Sequence, residues 1–291
     1  MHFNRLLEYR PLDRLERMTD GDRAELLGDV LRRGPSEDAW RAICELLTLW
    51  PDNEAKLGSL EVADRELSRW DDRLRVVDTS SVSLFNGQRL SSLARIVRSI
   101  SIYRREDSGR SDLLAVVRSE EAARLTRLSI VRSEIGRSAW HHMVESPYLA
   151  SLQHLHVTNS VMGRDVFQRL LESSTMASLR CLKLSEVGID ADDLRAALQA
   201  SPMFELRVVD FSRNVLGDEG VLPLSRAPWL QSVEHLTLRH NFIREPGMRA
   251  LLSSPFIPRM KQIDLSDNEA SESDRAALRR LAEERGLRVL I

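Results

Sequence analysis

The chain has 291 residues, 42% hydrophobic and 30% charged, which describes a foldable chain and suits either two ordinary domains or one elongated repeat domain. Its 44 acidic and 42 basic residues leave a net charge of −2, which argues against bulk electrostatic capture of nucleic acid. Two cysteines, Cys44 and Cys181, cannot build a disulfide framework, no apolar run approaches the ~18 residues of a membrane helix, and Met1 to Arg10 resembles no secretory signal, so a cytoplasmic protein is expected.

Residues 1–73 read as a helical leader. Asp20 to Arg33 carries Leu26, Leu27, Val30 and Leu31 on one helical face, and Gly34-Pro35 ends it. Ser36 is placed to cap the next helix, where Trp40, Ile43, Cys44 and Leu47 follow the i, i+3, i+4, i+7 pattern up to Pro51. Leu57, Leu60, Ala63, Leu67 and Trp70 predict a third amphipathic helix. Three of the five tryptophans (Trp40, Trp50, Trp70) fall here, so the leader is expected to bury a bulky surface against the residues that follow; a separate docking module is the alternative. Residues 74–96 read as a degenerate opening unit.

From Val97 onward the chain repeats. An apolar residue, two others, an apolar residue, one other and a third apolar residue recur at Val97-Ile100-Ile102, Leu125-Leu128-Ile130, Leu152-Leu155-Val157, Leu179-Leu182-Leu184, Leu206-Val209-Phe211, Val233-Leu236-Leu238 and Met260-Ile263-Leu265. The pattern opens again at Leu287-Leu290; the first step is 28 residues and the other six are 27. Alternation inside each unit predicts a short strand with its apolar side inward. A helix follows, marked by Val116-Val117, Met143-Val144, Leu170-Leu171, Leu198, Leu224, Leu251-Leu252 and Leu278, with Gly136, Gly163, Gly188 and Gly217 at the turns between. Ser146-Pro147, Ser201-Pro202, Ala227-Pro228 and Ser254-Pro255 end helices, because proline lacks the donor that would continue them. A strand and a helix in 27 residues cannot bury their own apolar faces, so the units must stack.

These segments, among them Leu206-Arg207-Val208-Val209-Asp210-Phe211-Ser212-Arg213-Asn214 and Leu236-Thr237-Leu238-Arg239-His240-Asn241, resemble leucine-rich repeats of the ribonuclease-inhibitor type, including bacterial versions with a helical leader. The resemblance covers residues 97–291 in about seven units of 27–28 residues, and it implies an α/β horseshoe with parallel strands on the concave face and helices on the convex face. It places Asn214, Asn241 and Asn268 at the family's turn-tying ladder position. The earlier units carry Arg105, Ser133, Ser160 and Val187 there, so their turns are expected to be less regular.

The chain ends Leu287-Arg288-Val289-Leu290-Ile291, a parallel strand that either closes the last core layer, the preferred reading, or pairs with a second copy of the chain.

No phosphate-binding loop, zincin motif, hydrolase elbow or CxxC pair occurs. What remains is the outward side of the stacked strands, about 30 Å long at ~4.8 Å per strand, a footprint for a protein or peptide more than for a metabolite. Tyr103, Arg127, His154, His156, Lys183, Asp210, Arg213, Arg239, His240 and Asp264 are the candidate partner-binding residues. Arg127, Arg213 and Arg239 lead because a guanidinium can clamp a carboxylate at two points. His154 and His156 share a strand face with Cys181 beside His154, a donor set that could hold zinc. With no fourth ligand evident and Lys183 beside His156, no metal and no cofactor is assigned. His141 and His142 read as surface or packing residues of a convex helix.

The expected function is a non-catalytic scaffold that recognises a partner protein on its concave face. The alternative is a regulator of a small GTPase resembling the Ran GTPase-activating protein, with Arg104, Arg132 and Arg213 at strand exits to inspect. RNA binding is disfavoured by the charge balance and by the scarcity of aromatic residues for stacking on that face.

Overall fold

The computed structural model describes residues 17–79, 84–86, 89–103, 109–198 and 205–291. Met1–Arg10, Arg104, Arg105 and the Ser201-Pro202 step lie outside the described residues.

Three helices form where the leader's caps and apolar spacing place them. α1 (Asp20–Arg32) starts at Thr19, whose hydroxyl and backbone N–H form a reciprocal capping box with Asp22. α2 (Glu37–Leu49) is capped by Ser36, whose Oγ accepts from the Ala39 N–H, and it buries Trp40, Ile43, Cys44 and Leu47. α3 (Glu54–Leu67) is capped by Asn53 and stops before Trp70, three residues short of the apolar pattern read in the sequence. The leader rests on β1 (Val76–Asp78): the indole N–H of Trp40 donates to the Val76 carbonyl at 2.7 Å, occupying an acceptor on a strand with only one neighbour.

β1 is the first of nine parallel strands. A two-stranded antiparallel hairpin, β2 (Phe85–Asn86) and β3 (Arg89–Leu90), interrupts the chain before β4 (Ser99–Tyr103). Then strand and helix alternate: α4 (Gly109–Val117), β5 (Arg127–Val131), α5 (Arg137–Glu145), β6 (His154–Thr158), α6 (Arg164–Glu172), β7 (Cys181–Ser185) and α7 (Ala191–Ala197). The series continues with β8 (Val208–Asp210), α8 (Gly217–Leu224), β9 (His235–Thr237), α9 (Glu245–Leu252), β10 (Gln262–Asp264), α10 (Glu272–Glu284) and β11 (Arg288–Leu290). Strand order along the sheet is β1-β4-β5-β6-β7-β8-β9-β10-β11, each pair parallel and each neighbour the next unit in sequence. The inward residue of each strand pattern is fully buried, as Ile100, Leu128, Leu155, Leu182, Val209, Leu236 and Ile263 show, so the core is one continuous layer between sheet and helices.

Polar side chains tie the layers at both edges of the sheet. Asn214 Oδ1 accepts from the Val187 and Ile189 N–H groups while its amide donates to the Leu184 and Phe211 carbonyls. Asn268 repeats this on Asn241, Ile243, Leu238 and Leu265. In an earlier unit Ser160 Oγ takes over part of the task, accepting from the Ser133 N–H at 2.9 Å. At the opposite edge the hydroxyls of Ser146, Ser173 and Ser254 donate to the Val117, Val144 and Ser225 carbonyls of the preceding unit.

Among the described residues, the strand exits from Arg132 onward do not show the less regular early turns expected from the missing asparagines. Arg132, Asn159, Glu186, Arg213, His240 and Asp267 take φ values of 49°, 51°, 57°, 57°, 55° and 57°. A left-handed residue recurs at each of these exits, 27 residues apart, whether the ladder residue beside it is serine, valine or asparagine.

Candidate functional site

Parallel register arranges the outward side chains in rows across the sheet. One row runs Ser99, Arg127, His154, Cys181, Val208, His235, Gln262. The next runs Ser101, Ser129, His156, Lys183, Asp210, Thr237, Asp264. The register therefore brings Arg127, His154, His156, Lys183 and Asp210 into one central patch. Tyr103 stands apart on β4, and Arg213, Arg239 and His240 lie beyond the strand ends on the rim.

Chemistry separates the candidates further. Arg239 already has a neighbour: its guanidinium pairs with Asp267 of the next layer at 2.6 Å, an exposed pair with which a partner's carboxylate would compete. Asp210 and Asp264 each spend one carboxylate oxygen on a local turn, accepting from the N–H and hydroxyl of Ser212 and Ser266. Among the described residues Arg127 and Arg213 have no ion-pair partner. Arg213 lies with Arg110, Arg132 and Glu186 along a rim groove of about 1090 Å³, whose apolar contacts come from Val161 and Val215, both well exposed. Outward geometry does not guarantee exposure: Ser99 and Cys181, read as outward from the alternation, are 5% and 6% exposed.

His154, His156 and Cys181 converge. Cys181 Sγ stands 3.6 Å from His156 Nε2, and one ligand atom from each residue lies within 4.8 Å of the others. Burial first, then the positive charge of Lys183, His154 and Arg127, pushes His156 down to about 4, so it is neutral at physiological pH. His154 is lowered by burial and by Arg127, and burial pushes the Cys181 thiol up. His141 and His142 stay on the convex side, as read: His141 contacts Asp165 at 2.8 Å and His142 meets Arg118.

The residues that sequence reasoning missed are at the leader junction. Arg75 and Arg98 are buried, and both reach the Asp64 carboxylate, which Arg124 also engages. Their periodicity is that of a surface face, and only the docked leader encloses them.

Nine parallel strands, a helix after each of β4 to β10 and a 27-residue step define an α/β leucine-rich-repeat solenoid. A family model described as Leucine Rich repeat matches residues 205–225, one unit spanning β8 and α8. A protein from Bacteroides fragilis of known structure is similar at 14% identity and a TM-score of 0.46, over 68% of this chain and 66% of that one, just under two thirds of its length. A structure of the Rad7 and Elc1 complex in yeast is similar at 11% identity and a TM-score of 0.32, over 93% of this chain and 92% of that one. No curated protein matches the chain. No helix among the described residues is long and apolar enough to cross a membrane.

Proposed function

We propose that the protein is a non-catalytic interaction scaffold that recognises a partner protein through the central patch of its concave face and the adjoining rim. One observation carries the reading: Arg127 on the face and Arg213 on the rim have no ion-pair partner among the described residues, on a surface whose backbone the sheet fixes. A pre-ordered surface offers its charges to a partner with little further ordering cost. Partner acidity follows from the dominant charge of the patch, Arg127 and Lys183, and of the rim, Arg213, with Asp210 half-occupied by its own turn. The leader, residues 1–73, acts in this reading as a cap, and 74–96 as the opening unit of the repeat domain. The 27-residue strand–helix unit supports the ribonuclease-inhibitor subtype, and two buried cysteines without a disulfide support a cytoplasmic location.

Capture from native lysate by the wild type and by an Arg127→Glu, Lys183→Glu, Arg213→Glu variant of equal thermal stability tests the assignment. Partners lost only with the variant support the face, and partners retained by both refute it. The GTPase-regulator alternative rests on Arg132 and Arg213, both on left-handed rim positions. Turnover assays with captured GTPases decide it, and no acceleration dismisses it.

A further inference from the structure

The His154–His156–Cys181 cluster has the geometry of a metal site. Bonds of about 2.3 Å to sulfur and 2.0–2.1 Å to nitrogen place the two donors about 3.6 Å apart at a tetrahedral angle and about 3.8 Å apart at a trigonal one. The observed Cys181 Sγ to His156 Nε2 separation is 3.6 Å, and the third donor, from His154, is within 4.8 Å of both. The backbone beneath is fixed, because all three residues sit on adjacent paired strands with His154 directly opposite Cys181.

Donor count and surrounding charge choose the ion. Three protein donors leave a zinc ion one ligand short of its preferred four, to be completed by water. Two imidazoles and one thiolate are a donor set that copper shares with zinc, so the donors narrow the choice to these two ions and the surrounding charge decides between them. Lys183 flanks His156 and Arg127 flanks His154 in the register. Beside those cations a site carrying net positive charge is penalised. Copper(I) with one thiolate is neutral, whereas zinc(II) with one thiolate keeps a charge of +1. We propose that His154, His156 and Cys181 form a three-coordinate copper(I) site on the concave face. Binding releases the Cys181 thiol proton to solvent, while both imidazoles donate a nitrogen lone pair and no electron is transferred.

The test is an anaerobic titration of the purified, reduced full-length protein with copper(I) buffered by a chromophoric copper(I) chelator, with zinc(II) in a parallel arm. One copper(I) per chain is expected. Cys181→Ser and, separately, His156→Asn should weaken binding at least tenfold, while Cys44→Ser, which removes the other thiol, should leave it unchanged. Lys183→Gln should tighten zinc(II) binding more than copper(I) binding. Unchanged far-ultraviolet circular dichroism and melting temperature establish that each variant folds. No binding overturns the proposal, as does binding indifferent to Cys181 and His156, or zinc(II) held by the same residues as tightly as copper(I). The titration involves no partner protein, so its failure leaves the scaffold reading standing, and the reverse also holds.

Discussion

Arg75 and Asp64 join the leader to the sheet: the guanidinium Nη2 lies 3.0 Å from Asp64 Oδ1, and the arginine is 1% exposed. Arg75 also donates from Nε to the Ile96 carbonyl at 2.7 Å and from Nη1 to the Leu67 carbonyl, so one side chain just before β1 touches both α3 and the segment before β4. Burial, and then the positive charge of Arg98, lower its pKa to about 10. Asp64 is the counter-charge that makes this burial tolerable.

Asp64→Ala should therefore destabilise the protein by about 3–5 kcal/mol, since it strands a buried guanidinium. Arg75→Met should cost less, because it removes the charge that needs the partner. Urea unfolding of the two variants, read by tryptophan fluorescence, checks the order; equal or reversed costs would show that Asp64 contributes little to the junction.

The architecture was legible because a 27-residue step and an alternating pattern leave few ways to fold. Leu128, Leu155 and Leu182 could point only inward, and the register placing His154 opposite Cys181 followed from the step itself. Side-chain commitments were not legible. Nothing in the sequence near Arg239 shows that Asp267, one layer on, takes its guanidinium. Nor could Arg75 be told from a surface arginine, because its burial comes from a helix eleven residues earlier in the chain. Periodicity gives the direction of a side chain, and its neighbours in three dimensions decide whether it is free.

The asparagine ladder should be stiffer than its serine counterpart. Asn214→Ala leaves the Val187 and Ile189 N–H groups and the Leu184 carbonyl without their side-chain partner, at ~1–3 kcal/mol for each group that water cannot reach. Ser160→Ala frees the Ser133 N–H, for about 1 kcal/mol, and removes a hydroxyl donor from the Thr158 carbonyl, which keeps the Arg132 N–H as partner. Amide hydrogen exchange at Val187 and Ile189 should accelerate in the first variant and stay unchanged in the second.

Two glycine-to-alanine changes should have opposite signs. At Gly247 an added Cβ would come 2.9 Å from Ile243 Cγ2 and 3.3 Å from Asp218 Cα. It would also displace Asp218, whose Oδ1 accepts from the Arg244 and Gly247 N–H groups. That overpacking, about 1–3 kcal/mol, exceeds the gain in helix propensity of about 1 kcal/mol. At Gly58, inside α3, nothing lies within 4 Å, so alanine should raise stability by about 0.5–1 kcal/mol. Melting temperatures of the two variants give the comparison directly.

His156 makes stability depend on pH in a definite window. The unfolded chain protonates it at its ordinary value of 6.5, whereas in the fold burial and Lys183 hold it down to about 4. Between those values the unfolded state binds more protons, so stability is full above 6.5 and falls as pH drops toward 4. Because the ring is only partly enclosed, solvent screening reduces the loss to about 1–2 kcal/mol. Urea midpoints at pH 7 and pH 5 should separate for the wild type by more than for His156→Gln, which has no proton to gain. Lys183→Gln removes the second cause of the depression, so it should raise the His156 pKa followed by NMR and shrink the difference between the two midpoints. An unmoved pKa would mean that burial, with His154 and Arg127, sets the value and that Lys183 contributes nothing to it.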